Sequence, residues 1–408
     1  MALPCTDAIQ RLVDSLAARI RHSVAVDDER GRLIVCSRHY GDEDRLRIGV
    51  VLSRRLPAPV AEYVNGFGIA TSATPRSIPA HPGLGLKERR CYPIRDHGRL
   101  LGYLWLIGAH AERFDEVVGD CVVQLSARLR ERSVQVSEEE QRRRALATDL
   151  LNGGEGSARA ARDLAAQGLV GAEDEVAVVV AGEATDPETV AAVIAEATGG
   201  RDEPPVRVLT AAVRGRGAVL VTGRQEVGQA AAWWAEEVRR GVRQRDAEGG
   251  GVVVGVSNAG RLDAAPDLLR QAVLAAFAAT ELPELPPVLS WRDTGVYGPL
   301  MLAAMTSPEL VVPPRIAGLG TVARTDSLAR TAEVFLDAAG DTAAASEQLR
   351  IHRTTLYYRL AQVENRTGWD LKNGRDRLTL HVGLKMQRLL DSGIPALLRG
   401  EEGRRESS

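Results

Sequence analysis

Between Asp341 and Leu360 the chain reads Asp-Thr-Ala-Ala-Ala-Ser-Glu-Gln-Leu-Arg-Ile-His-Arg-Thr-Thr-Leu-Tyr-Tyr-Arg-Leu, and no other stretch restricts its fold so tightly. Ala345 and Leu349 line one face of a short helix predicted over 342–349. Ile351 stands in the turn that follows, and Leu356, Leu360 and Val363 recur at i, i+4 and i+7 along a second helix predicted over 353–367. Two helices with apolar stripes set so close to a tight turn must cross and bury those stripes together, which is the packing of a helix-turn-helix. With that stripe inward, Thr354, Thr355 and Tyr358 point outward, while His352 and Arg353 stand at the start of the second helix.

A plain helical hairpin with a solvated face shares this register, so charge decides between the two. Residues 341–390 carry nine cations (Arg350, Arg353, Arg359, Arg366, Lys372, Arg375, Arg377, Lys385 and Arg388) against five anions (Asp341, Glu347, Glu364, Asp370 and Asp376), a net +4. The whole chain is at −2, which leaves −6 for everything else. Positive charge is therefore concentrated where contact with phosphates would need it, and double-stranded DNA is the expected partner. The expected contact residues are His352, Arg353, Thr354, Thr355, Tyr358 and Arg359. Arg353 could clamp a guanine O6/N7 edge, worth ~1–3 kcal/mol of discrimination. Thr355 and Tyr358 could reach thymine methyls or phosphates.

The stretch His352-Arg-Thr-Thr-Leu-Tyr-Tyr-Arg-Leu, with Val363-Glu, Thr367-Gly and the downstream Asp376-Arg-Leu-Thr-Leu-His-Val-Gly-Leu, resembles the C-terminal helix-turn-helix of the purine-catabolism and sugar-diacid regulator (PucR/CdaR) family. Its local register also looks like Fis-type DNA-binding helices. The resemblance implies a DNA-contact role for His352, Arg353, Thr355 and Tyr358. Two positions depart from the family pattern: Ser346 replaces a small apolar residue, and Tyr357 stands where a cation is frequent.

Upstream, the pattern predicts two further domains. Hairpins at 24–37 and 90–108, bracketed by helices at about 6–21 and 56–66, describe a small α+β module over 1–113 with one antiparallel sheet. That module resembles GAF or PAS sensory domains in element order. Val117, Val118, Cys121, Val122, Leu125 and Leu129 follow a 3.6-residue period and predict a long connecting helix over 114–152. Over 153–312 the predicted order is βαββαβαβ, a mixed sheet covered by helices, with Asp186 capping a helix that opens on Pro187. The segment from Gly255-Val-Ser-Asn to Leu268-Leu-Arg-Gln-Ala looks like the family's middle domain, a relative of the GGDEF nucleotide-cyclase fold. Cyclase chemistry holds Mg²⁺ on carboxylates, and the hairpin that should supply them reads Val213-Arg-Gly-Arg-Gly-Ala. A degenerate, catalytically silent scaffold is expected. Residues 313–398 should be all-α, and 399–408 a disordered tail.

No apolar run approaches the ~20 residues that cross a bilayer, and the N-terminus shows no secretory pattern. Cys5, Cys36, Cys91 and Cys121 have no pairing or ligand spacing, and His39, His81, His97 and His110 do not supply one, so we read the thiols as packing groups and expect neither metal nor cofactor. Tyr103 and Trp105 share a strand face and either pack under a helix or line an effector pocket. No nucleophile-and-base pattern supports an enzyme. The expectation is a cytoplasmic, multidomain α+β, homodimeric transcriptional regulator that answers to a small-molecule effector, with no ligand-binding residue assigned. The competing expectation is a nucleotide- or metabolite-binding signalling protein whose helical tail binds protein.

Overall fold

The computed structural model describes residues 4–42, 44, 46, 50, 56–108, 111–182, 185–198, 205–245, 251–282, 284–306 and 312–393. The expectations for His110, the side chain of Cys5 and the tail 399–408 lie outside the described residues. The chain divides into two compact units, 1–141 and 142–408.

In the first unit, β1 (Val24–Asp28), β2 (Leu33–Cys36), β3 (Arg76–Ile78), β4 (Arg89–Asp96) and β5 (Arg99–Ile107) form one antiparallel sheet in the order β2-β1-β5-β4-β3. Both predicted hairpins are present. Asp28 Oδ1 closes the first turn by accepting from the amides of Arg30 (2.9 Å) and Arg32 (2.8 Å), and His97 and Gly98, both left-handed, form the second. Strand alternation sorts the side chains onto two faces. Val24, Val26, Tyr92, Ile94, Leu104 and Leu106 pack on the helix Pro4–Ile20 and on the start of the helix Asp115–Asn152. Ala25, Cys91, Tyr103 and Trp105 face the other way, towards Val60 and Val64 of the helix Ala58–Asn65. Gly102 is required where β1 and β5 meet, since a Cβ there would stand 2.2 Å from the Asp27 carbonyl oxygen.

The stripe predicted on the long helix is spent on this sheet: Val118, Cys121, Leu125 and Leu129 are buried, with Val117 and Val122 packed at the edge. Its opposite face carries the exposed apolar residues Val123 (71%) and Val134 (52%).

The second unit begins within that helix, so the division falls inside it and not at its ends. After the helix Glu155–Ala166 come β6 (Glu175–Ala181), β7 (Arg207–Val213), β8 (Arg216–Gly223), β9 (Val254–Val256) and β10 (Val288–Ser290). The sheet order is β10-β9-β6-β8-β7, with only β9 and β10 parallel, and the elements run βαββαβαβ as the pattern predicts. Alternate valines of β6 face opposite layers. Val176, Val178 and Val180 meet the helices Glu155–Ala166 and Ala265–Glu281, while Val179 meets the helices Pro187–Ala197 and Val227–Arg245. A Cβ at Gly255 would lie 1.9 Å from the Ala272 carbonyl oxygen, which lets the helix Ala265–Glu281 lie directly on β9.

The helix Tyr297–Thr306 comes next, and beyond it the described residues form the helices Leu328–Asp337, Thr342–Leu349, Arg353–Thr367 and Gly374–Asp391. They do not form a separate body. Met386 and Leu389 on the last helix are buried among Leu274, Ala278, Leu282, Met301 and Ala304 of the middle region, so one apolar core runs past the boundary expected at 312.

Candidate nucleic-acid interface

Each of these helices starts on a side-chain cap that satisfies amides left over by the first turn. Ser327 Oγ accepts from the Arg330 amide at 2.9 Å, and Asp341 Oδ1 accepts from Ala343 (2.8 Å) and Ala344 (3.2 Å). Asn373 caps the last helix through Arg375 (2.9 Å) and Asp376 (3.2 Å). Arg350 ends the second helix in the left-handed conformation (φ 54°, ψ 43°), and the Ile351 amide returns to the Ser346 carbonyl at 3.1 Å. That closure sets the turn. His352 then caps the helix Arg353–Thr367, its Nδ1 accepting from the Thr354 amide at 3.3 Å. Ala345, Leu356, Leu360 and Val363 are buried between the crossed helices, with Leu349 and Ile351 packed at the rim. Ser346 is accommodated there because its Oγ donates to the Thr342 carbonyl at 2.6 Å.

His352, Arg353, Thr354, Thr355 and Tyr358 are all exposed, Tyr358 at 67%. On the helix, Thr354, Thr355 and Tyr358 lie opposite the buried stripe, so the structure gathers five of the six predicted residues at one accessible helix start. Arg359 departs from the set. It follows Leu356 by three positions, which turns it to the flank of the stripe, where it is half-buried with Nη1 3.3 Å from Thr331 Oγ1. Tyr357 bends towards the preceding helix, its hydroxyl 3.4 Å from Thr342 Oγ1.

The local charge is also partly committed. Besides Arg359, Arg366 donates to the Gly318 carbonyl at 2.8 Å and Arg377 lies over the Phe335 ring. Arg388 holds Glu333, and Lys385 is buried against three carboxylates. Arg350, Arg353, Lys372 and Arg375 remain exposed with no ion pair among the described residues. The sequence count missed this because Glu284, Glu333 and Asp337 lie outside the window 341–390.

Lys385 is 3% exposed, with Nζ 2.7 Å from Glu284, 2.9 Å from Asp337 and 3.5 Å from Glu333, which is itself 0% exposed. Burial pulls the ammonium down, but hydrogen bonds to Glu284 and Asp337 outweigh it and hold Lys385 above its ordinary value. Burial pushes Asp337 up, and bonds from His381 and Lys385 reverse that, leaving it below its ordinary value. The available signal was Glu333, a carboxylate on the apolar side of its helix among Ala329, Ala332 and Leu336.

Cys91 and Cys121 are buried, and burial pushes Cys121 up to about 11. Among the described residues no group of three His, Cys, Asp or Glu side chains could hold a metal ion, and no helix is long and apolar enough to cross a membrane. Trp234 faces the core and Trp233 its edge. The β7–β8 hairpin closes through Arg214 and Gly215, both left-handed, with no carboxylate between Val213 and Arg216.

Residues 328–386 match the family model described as the PucR C-terminal helix-turn-helix domain, which covers the three helices built above and most of the fourth. No curated protein matches the chain. Among solved structures, a regulator of polyketide synthase expression from Bifidobacterium adolescentis shares 19% identity over 61% of this chain and 93% of its own, with a TM-score of 0.30. PelD from Pseudomonas aeruginosa PA14 shares 15% over 68% and 88%, with a TM-score of 0.17. Likenesses this distant say nothing about the fold. The C-terminal domain is a helix-turn-helix of PucR type, and a domain of that type points to a DNA-binding transcriptional regulator.

Proposed function

We propose that the chain is an effector-responsive transcriptional regulator that reads operator DNA as a homodimer. The observation that carries the DNA-binding part is the capped start of the helix Arg353–Thr367, which presents Arg353, Thr354, Thr355 and Tyr358 to solvent, with the exposed Arg350 in the turn just before it and the exposed Lys372 and Arg375 in the same domain. A helix entering the major groove meets base edges with its N-terminal residues, and cations at its margins meet phosphates. The first unit serves as the sensory module in the manner of GAF or PAS domains. The middle sheet, related to the GGDEF fold, acts as a scaffold whose β7–β8 hairpin carries arginines where a metal site needs carboxylates. Neither part performs chemistry in this reading.

The route from sensor to DNA begins at Asp115, the first residue of the long helix. Its carboxylate accepts from Arg90 Nε at 2.7 Å and from the Tyr92 hydroxyl at 2.7 Å, so β4 grips the helix start. An effector that prefers one arrangement of the sheet would bias that helix, and with it the separation of two recognition helices. Filter binding of genomic fragments at two salt concentrations, followed by sequencing of the bound DNA, tests the reading. Retention of one recurrent motif with a steep loss in salt is expected; no retention of DNA at low salt would overturn it.

A further inference from the structure

Two hydroxyls from different helices meet beside the recognition surface. Thr354 and Tyr358, one turn apart, form the row of the helix Arg353–Thr367 that faces away from its buried stripe. Tyr357 stands about 100° round from Tyr358, on the flank next to the preceding helix. It is 57% exposed, and its hydroxyl lies 3.4 Å from Oγ1 of Thr342, the first residue of the helix Thr342–Leu349. An O–H···O bond normally spans about 2.5–3.0 Å, so the two hydroxyls barely hold each other. Neither side chain makes another hydrogen bond among the described residues, and a single pair of hydroxyls leaves at least one O–H proton without a protein acceptor. The amides at that helix start are already taken, since Asp341 Oδ1 accepts from Ala343 at 2.8 Å and Ala344 at 3.2 Å.

We propose that the Tyr357 and Thr342 hydroxyls donate together to one phosphate oxygen of the DNA backbone, forming a neutral clamp at the rim of the groove that the recognition helix enters. The assignment rests on the reading of the chain as a DNA-binding regulator. When a recognition helix lies in the major groove, the helix before it crosses the backbone, so groups that bridge the two helices fall where base edges give way to phosphates. Thr and Tyr hydroxyls are common donors to phosphate, and such contacts fix position without reading sequence. The spacing suits a shared acceptor: an oxygen about 2.7 Å from both hydroxyls fits their separation of 3.4 Å. Because neither group is charged, the clamp adds affinity without releasing counterions.

That last property gives the test. Binding of the full chain is followed by fluorescence anisotropy over a series of salt concentrations on two duplexes, a genomic fragment retained on the filter and the same fragment with its sequence scrambled. Tyr357→Phe should weaken both duplexes about fivefold, the worth of one hydrogen bond, and leave the slope of log K against log salt unchanged. Thr342→Val, which keeps the shape of the side chain, should weaken both in the same way. Tyr357→Lys puts a cation at the same point and should steepen the slope by about 0.9. Thermal unfolding of each variant is measured alongside and should not move. A Tyr357→Phe protein that binds both duplexes like wild type overturns the clamp, as does a loss confined to the retained fragment, which would make Tyr357 a reader of bases. A loss of affinity matched by a loss of stability also overturns it, since the hydroxyl would then serve only the packing of the two helices. A wild type that binds neither duplex removes the regulator as well, whereas wild-type binding that survives all three substitutions unchanged removes the clamp alone.

Discussion

Lys385 donates to Glu284 at 2.7 Å across 101 positions of sequence, and this bond ties the last helix of the helix-turn-helix domain to the segment just past the helix Ala265–Glu281. The same ammonium reaches Asp337 and Glu333 on the domain's first helix. One buried cation thus sits at the junction of three segments. Transferring an ammonium out of water is costly, and three carboxylates around it offset that cost only while all are in place.

Lys385→Ala should therefore be more harmful than a surface change. It leaves Glu333, fully buried, with Arg330 and Arg388 alone, and removes the cation facing Glu284 and Asp337. We expect a loss of about 3–5 kcal/mol in chemical denaturation of the full chain, the usual penalty for breaking a buried ion pair from one side. A loss under about 1 kcal/mol would mean the cluster is solvated.

The same cluster predicts a pH window. Asp337 sits below its ordinary value of 3.8, so its stabilisation is present above that pH and is lost as pH falls through the lowered value. Lys385 sits above its ordinary 10.5, so its stabilisation is present below that pH and is lost as pH rises through the raised value. The difference in unfolding free energy between wild type and Lys385→Met should be flat from about pH 4 to about pH 10 and shrink on both sides. A difference that changes between pH 6 and 8 would contradict the assignment.

The recognition helix makes a three-way distinction. Arg353→Ala should weaken operator binding by ~1–3 kcal/mol with unchanged helical content. Leu356→Ala opens a cavity between the crossed helices and should cost ~2–5 kcal/mol of stability, abolishing binding through unfolding. Arg359→Ala should do little to specificity, because its guanidinium is turned to Thr331. With Arg350, Arg353, Lys372 and Arg375 as the phosphate-facing cations, the slope of log K against log salt should be no steeper than about −4 per protomer. Equal losses for Arg353→Ala and Arg359→Ala in fluorescence anisotropy would show that the helix meets DNA on a different side.

The register of the crossed helices was legible in the sequence because Leu356, Leu360 and Val363 repeat at helical spacing, which sets His352 and Arg353 at the helix start. The order of strands in the middle region was legible for a related reason, since runs such as Val176–Ala181 are bounded by turn residues. What charge does in three dimensions was not. Arg359, Arg366, Arg377, Lys385 and Arg388 read as a DNA-facing surplus, but five residues with identical formal charge can serve a groove or hold the protein together, and only their burial and their partners in three dimensions distinguish these roles. The merger of the last helix with the middle core was hidden for a similar reason. Met386 and Leu389 look like ordinary inward positions of a bundle, and nothing in their spacing says which neighbour they bury against.

The proposed homodimer has to pair through a surface other than the apolar stripe of the long helix. Val118, Cys121, Leu125 and Leu129 are consumed by the first sheet, whereas Val123 and Val134 lie on the opposite side of the same helix and remain exposed. One helix-turn-helix domain with four exposed cations that have no ion pair among the described residues offers few contacts, and specific regulators typically reach ~10⁻⁸–10⁻¹¹ M at physiological salt, which two linked copies can supply. A twofold pairing through this helix face would set two half-sites one or more turns of ~34 Å apart. Light scattering at micromolar concentration should give about twice the 43.9 kDa chain mass for wild type. The double variant Val123→Glu, Val134→Glu should fall to a single chain mass while keeping its fold, because neither side chain is part of a core. It should also lose cooperative occupation of inverted half-sites. A wild-type monomer that footprints one isolated half-site would refute the coupling, since an effector would then have no spacing between subunits to change.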